Sequence, residues 1–359
     1  MTEEEYWFWL CTTRNMWQGK IDRLIKKFMT PERIFHAKPK QLAETKGINA
    51  SDIKELLETG KQRDVTLELN KLDKRGISFI YYGNKLFPEK LYNLYDKPYG
   101  LFVKGRLPDP DKAAVAMVGA RECSSYGKEI AGAIAGQLGR NGVQIISGLA
   151  RGIDAYSQMG AISGGGTCFG ILGCGIDICY PRENIDLYVD TIKCGGIISE
   201  YPPGVRPAAW QFPHRNRLIS ALCDKLVIVE AKEKSGSFIT VEHALEQGKD
   251  VFAIPGRITD PLSAGCNRLI REGAQILTNI NDLYGNMGCE PSVIQEKKMI
   301  SLEKDFEVVY SNVDLVPKNI GQISKECGFN IRKTTEILVE LELTGFIYEP
   351  IKTYYSRKL

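Results

Sequence analysis

Six short apolar runs that alternate with helical patterns constrain the fold of this sequence more than any other feature. Each run is nearly continuous in apolar residues, which is typical of strands in a parallel sheet covered on both faces. The runs are Ala114–Val118, Val143–Ile146, Cys168–Leu172, Gly196–Ser199, Leu226–Glu230 and Val251–Ile254. The helices predicted between them include Tyr126–Arg140, His214–Leu222 and Thr240–Gln247. This alternation predicts an α/β fold with a doubly wound parallel sheet, in which ligands bind beyond the carboxyl ends of the strands.

The segments on either side of this α/β region have different patterns. Residues 1–75 carry helical spacing at Asp22–Met29 and Ile53–Leu69, which predicts a helical module. The turn at Gly47 is open to two interpretations, a helix-hairpin-helix that grips phosphate or a plain break between packed helices. We predict that residues 76–285 form the sheet domain and that residues 286–312 form a polar linker. Residues 313–359 have the order helix, helix and β-hairpin, which predicts a winged helix-turn-helix with helices at Ile320–Cys327 and Ile331–Leu343.

Composition and charge exclude some classes of function. The 359 residues carry a net charge of only +3, so any nucleic-acid site must come from local clusters of basic residues. No apolar run approaches the ~20 residues that cross a bilayer, and acidic residues precede the short run Tyr6–Leu10. We therefore expect a cytoplasmic protein without a membrane segment or a signal peptide. The ten cysteines form no C-x-x-C pair, so reduced structural thiols are expected rather than a metal site or disulfides.

The segment SGLARGID, which follows the second predicted strand, has the residues of an anion site. Ser147 and Gly148 let backbone N–H groups point outward, and Arg151 offers a planar fork for phosphate. A helix is predicted to begin at Gly-Ile-Asp, which ends at Asp154, and its N-terminus adds partial positive charge. The segment therefore predicts an anion bound at the end of this strand.

Two further turns repeat this pattern after other strands. They are Val118–Arg121 (VGAR) and Ser235–Ser237 (SGS), the second of which follows Lys234. Three such turns in one domain predict a phosphate-rich ligand. The first turn lacks the G-x-G-x-x-G pattern and the ribose-binding acid of dinucleotide enzymes, so no dinucleotide or other cofactor is expected.

The segment QFPHRNR, at the start of an amphipathic helix, combines residues that suit a nucleotide. Phe212 would stack on a base, Arg215 and Arg217 would hold phosphates, and Asn216 would meet a base edge or order the loop. Because Arg215 and Arg217 lie two apart on a helix, they cannot both face one ligand, and one of them is expected to be structural. The alternative interpretation places Phe212 in the core and pairs one arginine with an acid such as Asp224.

Taken in order, these blocks resemble the DNA-processing protein A family (DprA/Smf). The blocks are VGAR…SSYG, SGLARGID, LGCGIDICYP, SEYPPG, FPHRNRLIS, VIVEAKEKSGSFIT, DVFAIPG and GCNRLIREGA, spread over residues 77–285. The resemblance implies an extended Rossmann-like domain that forms homodimers and binds single-stranded DNA without catalysing a reaction. It also implies that the protein protects incoming strands during natural transformation and loads the RecA recombinase onto them. The helical module and the winged helix fit the longer members of this family.

The resemblance also implies a set of DNA-contacting residues. The positions that match the family's contacts are Gly119, Arg121, Ser147, Gly148, Phe212, Arg215, Asn216, Lys234, Ser235 and Gly236. Arg151 joins them through the anion-site argument. One departure concerns Ser157-Gln158, where the family usually has an alanine-histidine pair. Either that histidine is structural and replaceable, or this chain binds DNA with altered detail.

Two other classes of function remain as alternatives. Nucleoside-monophosphate phosphoribohydrolases of the lysine-decarboxylase-like group share a related nucleotide-binding fold, but their PGGxGTxxE motif is matched only by SGSFITVEHA, with Glu242 two residues after Thr240. A regulator that reads duplex DNA through the winged helix would need a basic recognition helix. Residues 311–359 instead hold seven Lys/Arg and six Asp/Glu, which favours contact with protein. Whether the N-terminal helices touch DNA is left open by the sequence.

Overall fold

The computed structural model describes residues 1–285, 287, 304–314 and 317–357, which belong to two compact units before and after residue 290. The helices of the first unit are α1 (Glu3–Thr12), α2 (Gln18–Phe28), α3 (Pro31–Phe35), α4 (Pro39–Ala43), α5 (Ala50–Gln62), α6 (Val65–Asp73), α7 (Ser125–Arg140), α8 (Ile153–Ser163), α9 (Ile185–Cys194), α10 (Gln211–Leu222), α11 (Ser237–Glu246) and α12 (Ala264–Arg271). Its strands are β1 (Ile77–Tyr81), β2 (Gly100–Gly105), β3 (Ala114–Val118), β4 (Gln144–Ser147), β5 (Cys168–Leu172), β6 (Gly196–Ser199), β7 (Lys225–Ile228), β8 (Asp250–Ala253) and β9 (Gln275–Ile276).

The nine strands form one sheet in the order β1-β2-β6-β5-β4-β3-β7-β8-β9. From β6 to β9 all neighbours are parallel, whereas β1 and β2 add an antiparallel edge beside β6. The chain winds from β3 outward through β4, β5 and β6, then returns to place β7 on the other side of β3. This confirms the predicted doubly wound sheet. It also puts the topological switch point, where such sheets bind ligands, at the carboxyl ends of β3 and β7.

The six predicted strands are confirmed, each within two residues at either end. Every residue of β3, β4, β5, β6 and β7 is buried, as expected for strands covered by helices on both faces. The three predicted helices that follow strands begin one to three residues earlier than expected, at Ser125, Gln211 and Ser237. The bounds are therefore least accurate where a helix starts.

The N-terminal helices pack on the sheet through a shared aromatic core. The Phe8 ring of α1 meets the Phe79 ring of β1 at 5.3 Å and the Phe102 ring of β2 at 6.3 Å between centroids. Helix α1 was not predicted, because Tyr6–Leu10 is buried at every position and shows no amphipathic period. Its signal was the capping box of Thr2 and Glu5, each of which hydrogen-bonds the backbone of the other.

The predicted helical stretch Ile53–Leu69 is two helices in the structure. Helix α5 ends before Arg63, and Asp64 starts α6 by accepting a hydrogen bond from the Leu67 N–H at 2.9 Å. Aspartate is a preferred N-cap residue because its side chain satisfies a free backbone N–H. The apolar spacing continues through this break, so periodicity alone does not reveal it.

The second unit contains α13 (Lys304–Asn312), α14 (Ile320–Cys327), α15 (Ile331–Leu343), β10 (Lys318–Asn319), β11 (Ile347–Ile351) and β12 (Tyr354–Arg357). Its strands pair in the order β10-β12-β11 over an apolar core that includes Val309, Ile323 and Leu338. Of the predicted linker 286–312, residues 286 and 288–303 lie outside the described residues, and 304–312 form α13. This helix forms because Val309 is buried against α14 and α15.

Two simple classes of site are absent from the described ranges. None of the helices described combines the length and apolar content that a bilayer span requires. No group of three or more His, Cys, Asp or Glu side chains within those ranges is placed to hold a metal ion.

Candidate nucleic-acid interface

A cavity of about 440 Å³ lies at the switch point of the sheet. Its walls are the turn from β3 to α7, the turn from β7 to α11, and the first turns of α10. These are the segments that carry the predicted VGAR, KSGS and FPHRN blocks. The fold therefore gathers three separated sequence motifs into one pocket.

Eight of the eleven predicted contact residues line this cavity. They are Gly119, Arg121, Phe212, Arg215, Asn216, Lys234, Ser235 and Gly236. The other three, Ser147, Gly148 and Arg151, do not line it. They belong to the segment from the end of β4 to the start of α8, from which Ala150 and Asp154 line the cavity instead.

Phe212 presents an aromatic face at the cavity. Its ring stacks on Tyr180, with centroids 5.3 Å apart and planes 29° apart, and the Arg121 guanidinium lies 6.0 Å from the ring centroid. Phe212 belongs to none of the apolar core clusters formed by the described residues, so the core interpretation of this residue is not supported. Tyr180, half exposed, was missed at the sequence level because it lies 32 residues before Phe212.

Positive charge dominates the open side of the cavity. Arg121, Lys232 and Lys234 are exposed, and no carboxylate of the described residues lies within 4.0 Å of their charged nitrogens. Glu122 is the exposed acid among the lining residues. Lys232 was not singled out in the sequence, although it lies two residues before Lys234 in the same turn. Together these side chains give the open side of the cavity a positive potential that attracts anions.

Buried hydrogen bonds tie the two basic turns together. The Glu230 carboxylate, 2% exposed, accepts bonds from the Ser124 N–H at 2.8 Å and from the Ser124 hydroxyl. The Glu230 carbonyl accepts the Ala120 N–H at 2.7 Å, and the Ser237 hydroxyl donates to the Gly119 carbonyl at 2.9 Å. Ser124 also caps α7, where its hydroxyl accepts the Gly127 N–H at 3.0 Å. The backbone that carries Arg121 is therefore fixed before any ligand binds.

Arg215 lies in the floor of the cavity and is 4% exposed. Its Nη1 donates to the carbonyl of Gly148 at 2.9 Å and to that of Ile171, which joins the ends of β4 and β5. A Cβ on Gly148 would lie 2.5 Å from Arg215 Nη2 and 2.6 Å from Asp154 Oδ2, so both charged groups rest against this glycine. Burial lowers the pKa of Arg215 to about 10 and raises the pKa of Asp154, whose charge Arg215 partly offsets. Arg215 thus has a structural role beneath the ligand space, and its direct contact with DNA stays a prediction.

Arg217 is structural as well. At 1% exposure, its Nη2 donates to both oxygens of Glu200, at 2.8 and 2.7 Å, and its Nε lies 2.8 Å from Asp96 Oδ2. The expectation that one arginine of the pair is structural is confirmed, but its acids are Glu200 and Asp96 rather than Asp224. Holding phosphates is therefore not a role for Arg217.

The three predicted residues outside the cavity make contacts within the protein. Arg151 is exposed and pairs with Glu183, with Nη2 and Oε2 at 2.9 Å. The buried Ser147 hydroxyl donates to the Met117 carbonyl at 2.7 Å, and the Gly148 N–H donates to the Asp154 carboxylate at 3.0 Å. These bonds give Ser147 and Gly148 a supporting position behind the wall, and their direct contact with DNA stays a prediction.

Gln158, at the position where the resembled family usually has histidine, braces the same turn. It is fully buried, accepts the Leu149 N–H at 3.2 Å and donates to the Phe169 carbonyl at 3.3 Å. Leu149 has a φ of 54°, a strained value that needs support from its neighbours. The side chain at 158 thus fills a structural position, which favours the interpretation that the residue type there is replaceable.

The geometry gives no support to nucleotide cleavage. Thr240 lines the cavity, whereas Glu242 is exposed on α11 and does not line it. A general acid or base must come within hydrogen-bonding distance of the proton that it transfers. The glutamate that the phosphoribohydrolase alternative requires is therefore outside the pocket.

Comparison with known proteins agrees with the geometry. Residues 78–288 match the family described as DNA recombination-mediator protein A. The DNA processing protein DprA of Bacillus subtilis is 39% identical over 212 residues, which are 59% of this chain and 71% of that protein. The X-ray structure of DprA from Streptococcus pneumoniae superposes with a TM-score of 0.66 and 33% identity, and the match covers 80% of this chain and 98% of that one.

A second solved structure is that of DNA processing protein A from Helicobacter pylori, described for its single-stranded DNA binding mode. It is 31% identical, with a TM-score of 0.52 over 58% of this chain and 93% of that one. The matched region contains the whole cavity, and the family match spans more than half of the sequence. This chain therefore belongs to the DNA recombination-mediator protein A family, whose members take part in DNA processing.

Proposed function

We propose that this protein binds single-stranded DNA in the cavity at the switch point and delivers the strand to the RecA recombinase in the cytoplasm. The observation that carries the proposal is the Phe212 ring, which stacks on Tyr180 and has the Arg121 guanidinium nearby, at the edge of a cavity with two exposed lysines. An aromatic ring stacks on the bases of a DNA strand, and cations without ion-pair partners neutralise the phosphates of its backbone. Natural transformation and homologous recombination are the processes in which such a carrier would act.

Single strands suit this cavity better than duplex DNA. Bases of a single strand are free to stack on an aromatic side chain, whereas bases of a duplex are already stacked on each other. The cavity offers a ring and scattered cations, but no helix that projects into a major groove. Sequence preference is therefore expected to be slight.

We also propose that the protein acts as a homodimer formed through the sheet domain. Exposed apolar side chains near the β8–β9 edge support this arrangement, namely Leu245 at 57%, Ile258 at 94% and Ile276 at 48% exposure. A second copy would cover apolar surface that water now contacts. Two cavities in one dimer would hold one long strand at two points.

The second unit is proposed to be a winged helix that contacts protein. The outward face of α15 carries exposed Val339 and Leu343, and its acidic residues include Glu336 and Glu340. This face lacks the basic surface that phosphate contacts require. It suits a protein partner better than a duplex.

Strand delivery is tested by the rate at which RecA hydrolyses ATP on a strand already covered by single-strand-binding protein. We expect the wild-type protein to raise this rate and Phe212→Ala to raise it much less, because the strand is no longer held. Lys193→Ala serves as a control, since this exposed lysine pairs with Asp190 on α9, away from the cavity. A wild-type protein that leaves the rate unchanged would not be a recombination mediator of this kind.

A further inference from the structure

A second and larger cavity, of about 1230 Å³, lies between the N-terminal helices and the sheet. It is walled by the turn from α1 to α2 with the start of α2, by the segment that precedes β2, and by the segment from β6 to α10. All of these belong to the first compact unit. None of the residues predicted to contact DNA lines it.

Exposed aromatic rings surround this second cavity. Trp17 is 51% exposed, Trp210 is 62% exposed, and Tyr95 is fully exposed. The chain has four tryptophans, and the other two, Trp7 and Trp9, are buried in the core. Both exposed tryptophans thus lie at one cavity, where the exposed part of each ring is open to stacking.

The acids that face the second cavity have basic partners within the protein. Asp22 pairs with Lys26 at 2.7 Å and accepts the Tyr99 hydroxyl at 2.9 Å. The buried Arg217 is bonded to Glu200 and lies 2.8 Å from Asp96. His214, which also lines the cavity, is 3.9 Å from each of these two carboxylates.

The remaining cations of this cavity lack carboxylate partners. Arg14 and Lys97 have no ion pair within 4.0 Å among the described residues, and Lys97 Nζ lies 5.3 Å from the Tyr82 ring. Arg23 likewise has no such pair, and its guanidinium lies 5.9 Å from the Trp17 ring. The surface therefore combines exposed rings with uncompensated positive charge, the combination that binds single strands.

The first turn of α10 separates the two cavities. Phe212 and Asn216 line the first cavity, whereas Trp210 and His214 line the second. Residues two apart on an α-helix lie about 200° apart around its axis and roughly 5 Å apart between Cα atoms. A strand that stacks on Phe212 therefore reaches Trp210 by passing around the end of one helix.

We propose that the second cavity binds the continuation of a single DNA strand whose first bases lie in the cavity at the switch point. This inference rests on the proposed function. Trp210 receives the strand from Phe212, and Trp17 and Tyr95 stack further bases. Arg14, Arg23 and Lys97 neutralise the phosphates between them.

Affinity for a long strand tests this proposal. We expect Trp17→Ala to weaken binding of a labelled oligothymidine of about 20 nucleotides roughly tenfold, as loss of one base stack predicts. Trp17→Phe keeps a ring and should restore most of the affinity. Arg23→Ala should also weaken binding, whereas Lys54→Ala, which removes an exposed lysine of α5 outside both cavities, should not.

Tryptophan fluorescence gives a direct second readout. In a Trp210→Phe variant, Trp17 is the one exposed tryptophan left among the four, and we expect oligothymidine to quench its emission. Two results together would overturn the second site: Trp17→Ala binds oligothymidine with unchanged affinity, and Trp17 emission is not quenched, while Phe212→Ala still binds more weakly than the wild type. The second cavity would then bind another class of ligand, such as a protein segment. A wild-type protein that binds no oligothymidine would instead overturn the proposed function itself.

Discussion

Phe212→Ala is expected to weaken binding of single-stranded DNA by about 5- to 150-fold, the range that corresponds to the loss of one base stack. The ring lies at the edge of the first cavity, stacked on Tyr180 and close to Arg121. Because it belongs to no apolar core cluster of the described residues, its removal should leave the fold intact. Affinity is measured by fluorescence anisotropy with a labelled oligothymidine.

A matched variant that keeps an aromatic ring at position 212 tests whether stacking by the ring accounts for the affinity. Phe212→Tyr retains the aromatic face and should bind within a few-fold of the wild type, while thermal unfolding shows whether each variant is folded. If Phe212→Ala bound oligothymidine like the wild type, the ring would not be a stacking platform. The cavity would then owe any affinity to its cations alone.

Arg215→Ala is expected to lower the free energy of unfolding by about 3–5 kcal/mol, the usual effect of removing one partner of a buried charge pair. The substitution would leave the Asp154 carboxylate, 7% exposed, without the guanidinium that offsets it. It would also free the carbonyls of Gly148 and Ile171, which Arg215 now joins. Urea unfolding monitored by circular dichroism measures the change.

Arg121→Ala provides the control, since this exposed arginine lines the same cavity without an ion pair among the described residues. Its loss should reduce DNA affinity and leave the free energy of unfolding nearly unchanged. If Arg215→Ala unfolded at the same urea concentration as the wild-type protein but had lost DNA binding, Arg215 would be a ligand contact rather than a structural arginine. The pair of variants thus separates stability from binding.

The sheet was predictable because its strands are buried on both faces. All side chains of a run such as Ala114–Val118 are apolar, so they are buried only if helices cover both faces of the sheet. Each of the six predicted strands is present. The strands β1 and β9, which form the two edges of the sheet, were less accessible to this argument. Their residues are partly exposed, so their place in the sheet depends on long-range pairing.

The residues of the first cavity were predictable where a motif lies at a strand end. Arg121 and Lys234 come from such segments and Phe212 from the start of α10, and the fold brings the three together at the switch point. The role of Arg215 was not predictable in the same way. A sequence shows that an arginine follows Phe212 but not that Asp154, 61 residues earlier, meets it in the interior.

The second cavity shows the limit of sequence reasoning most clearly. Trp17, Tyr95 and Trp210 come from three distant segments that contain no shared motif. Their proximity follows from the packing of the N-terminal helices on the sheet, which the aromatic core of Phe8, Phe79 and Phe102 maintains. Helix α1 lacks an amphipathic signal in the sequence. The sequence therefore does not predict that the N-terminal helices pack on the sheet and bring these three rings to one cavity.

The most direct measurement is the affinity of the wild-type protein for a labelled oligothymidine and for a matched duplex across a salt series. We expect much tighter binding to the single strand. Each neutralised phosphate of a single strand contributes about −0.7 to the slope of log K against log salt, so contacts by Arg121, Lys232 and Lys234 predict a slope near −2 for a strand too short to reach the second cavity. A duplex bound as tightly as the single strand, or no binding to either, would contradict it.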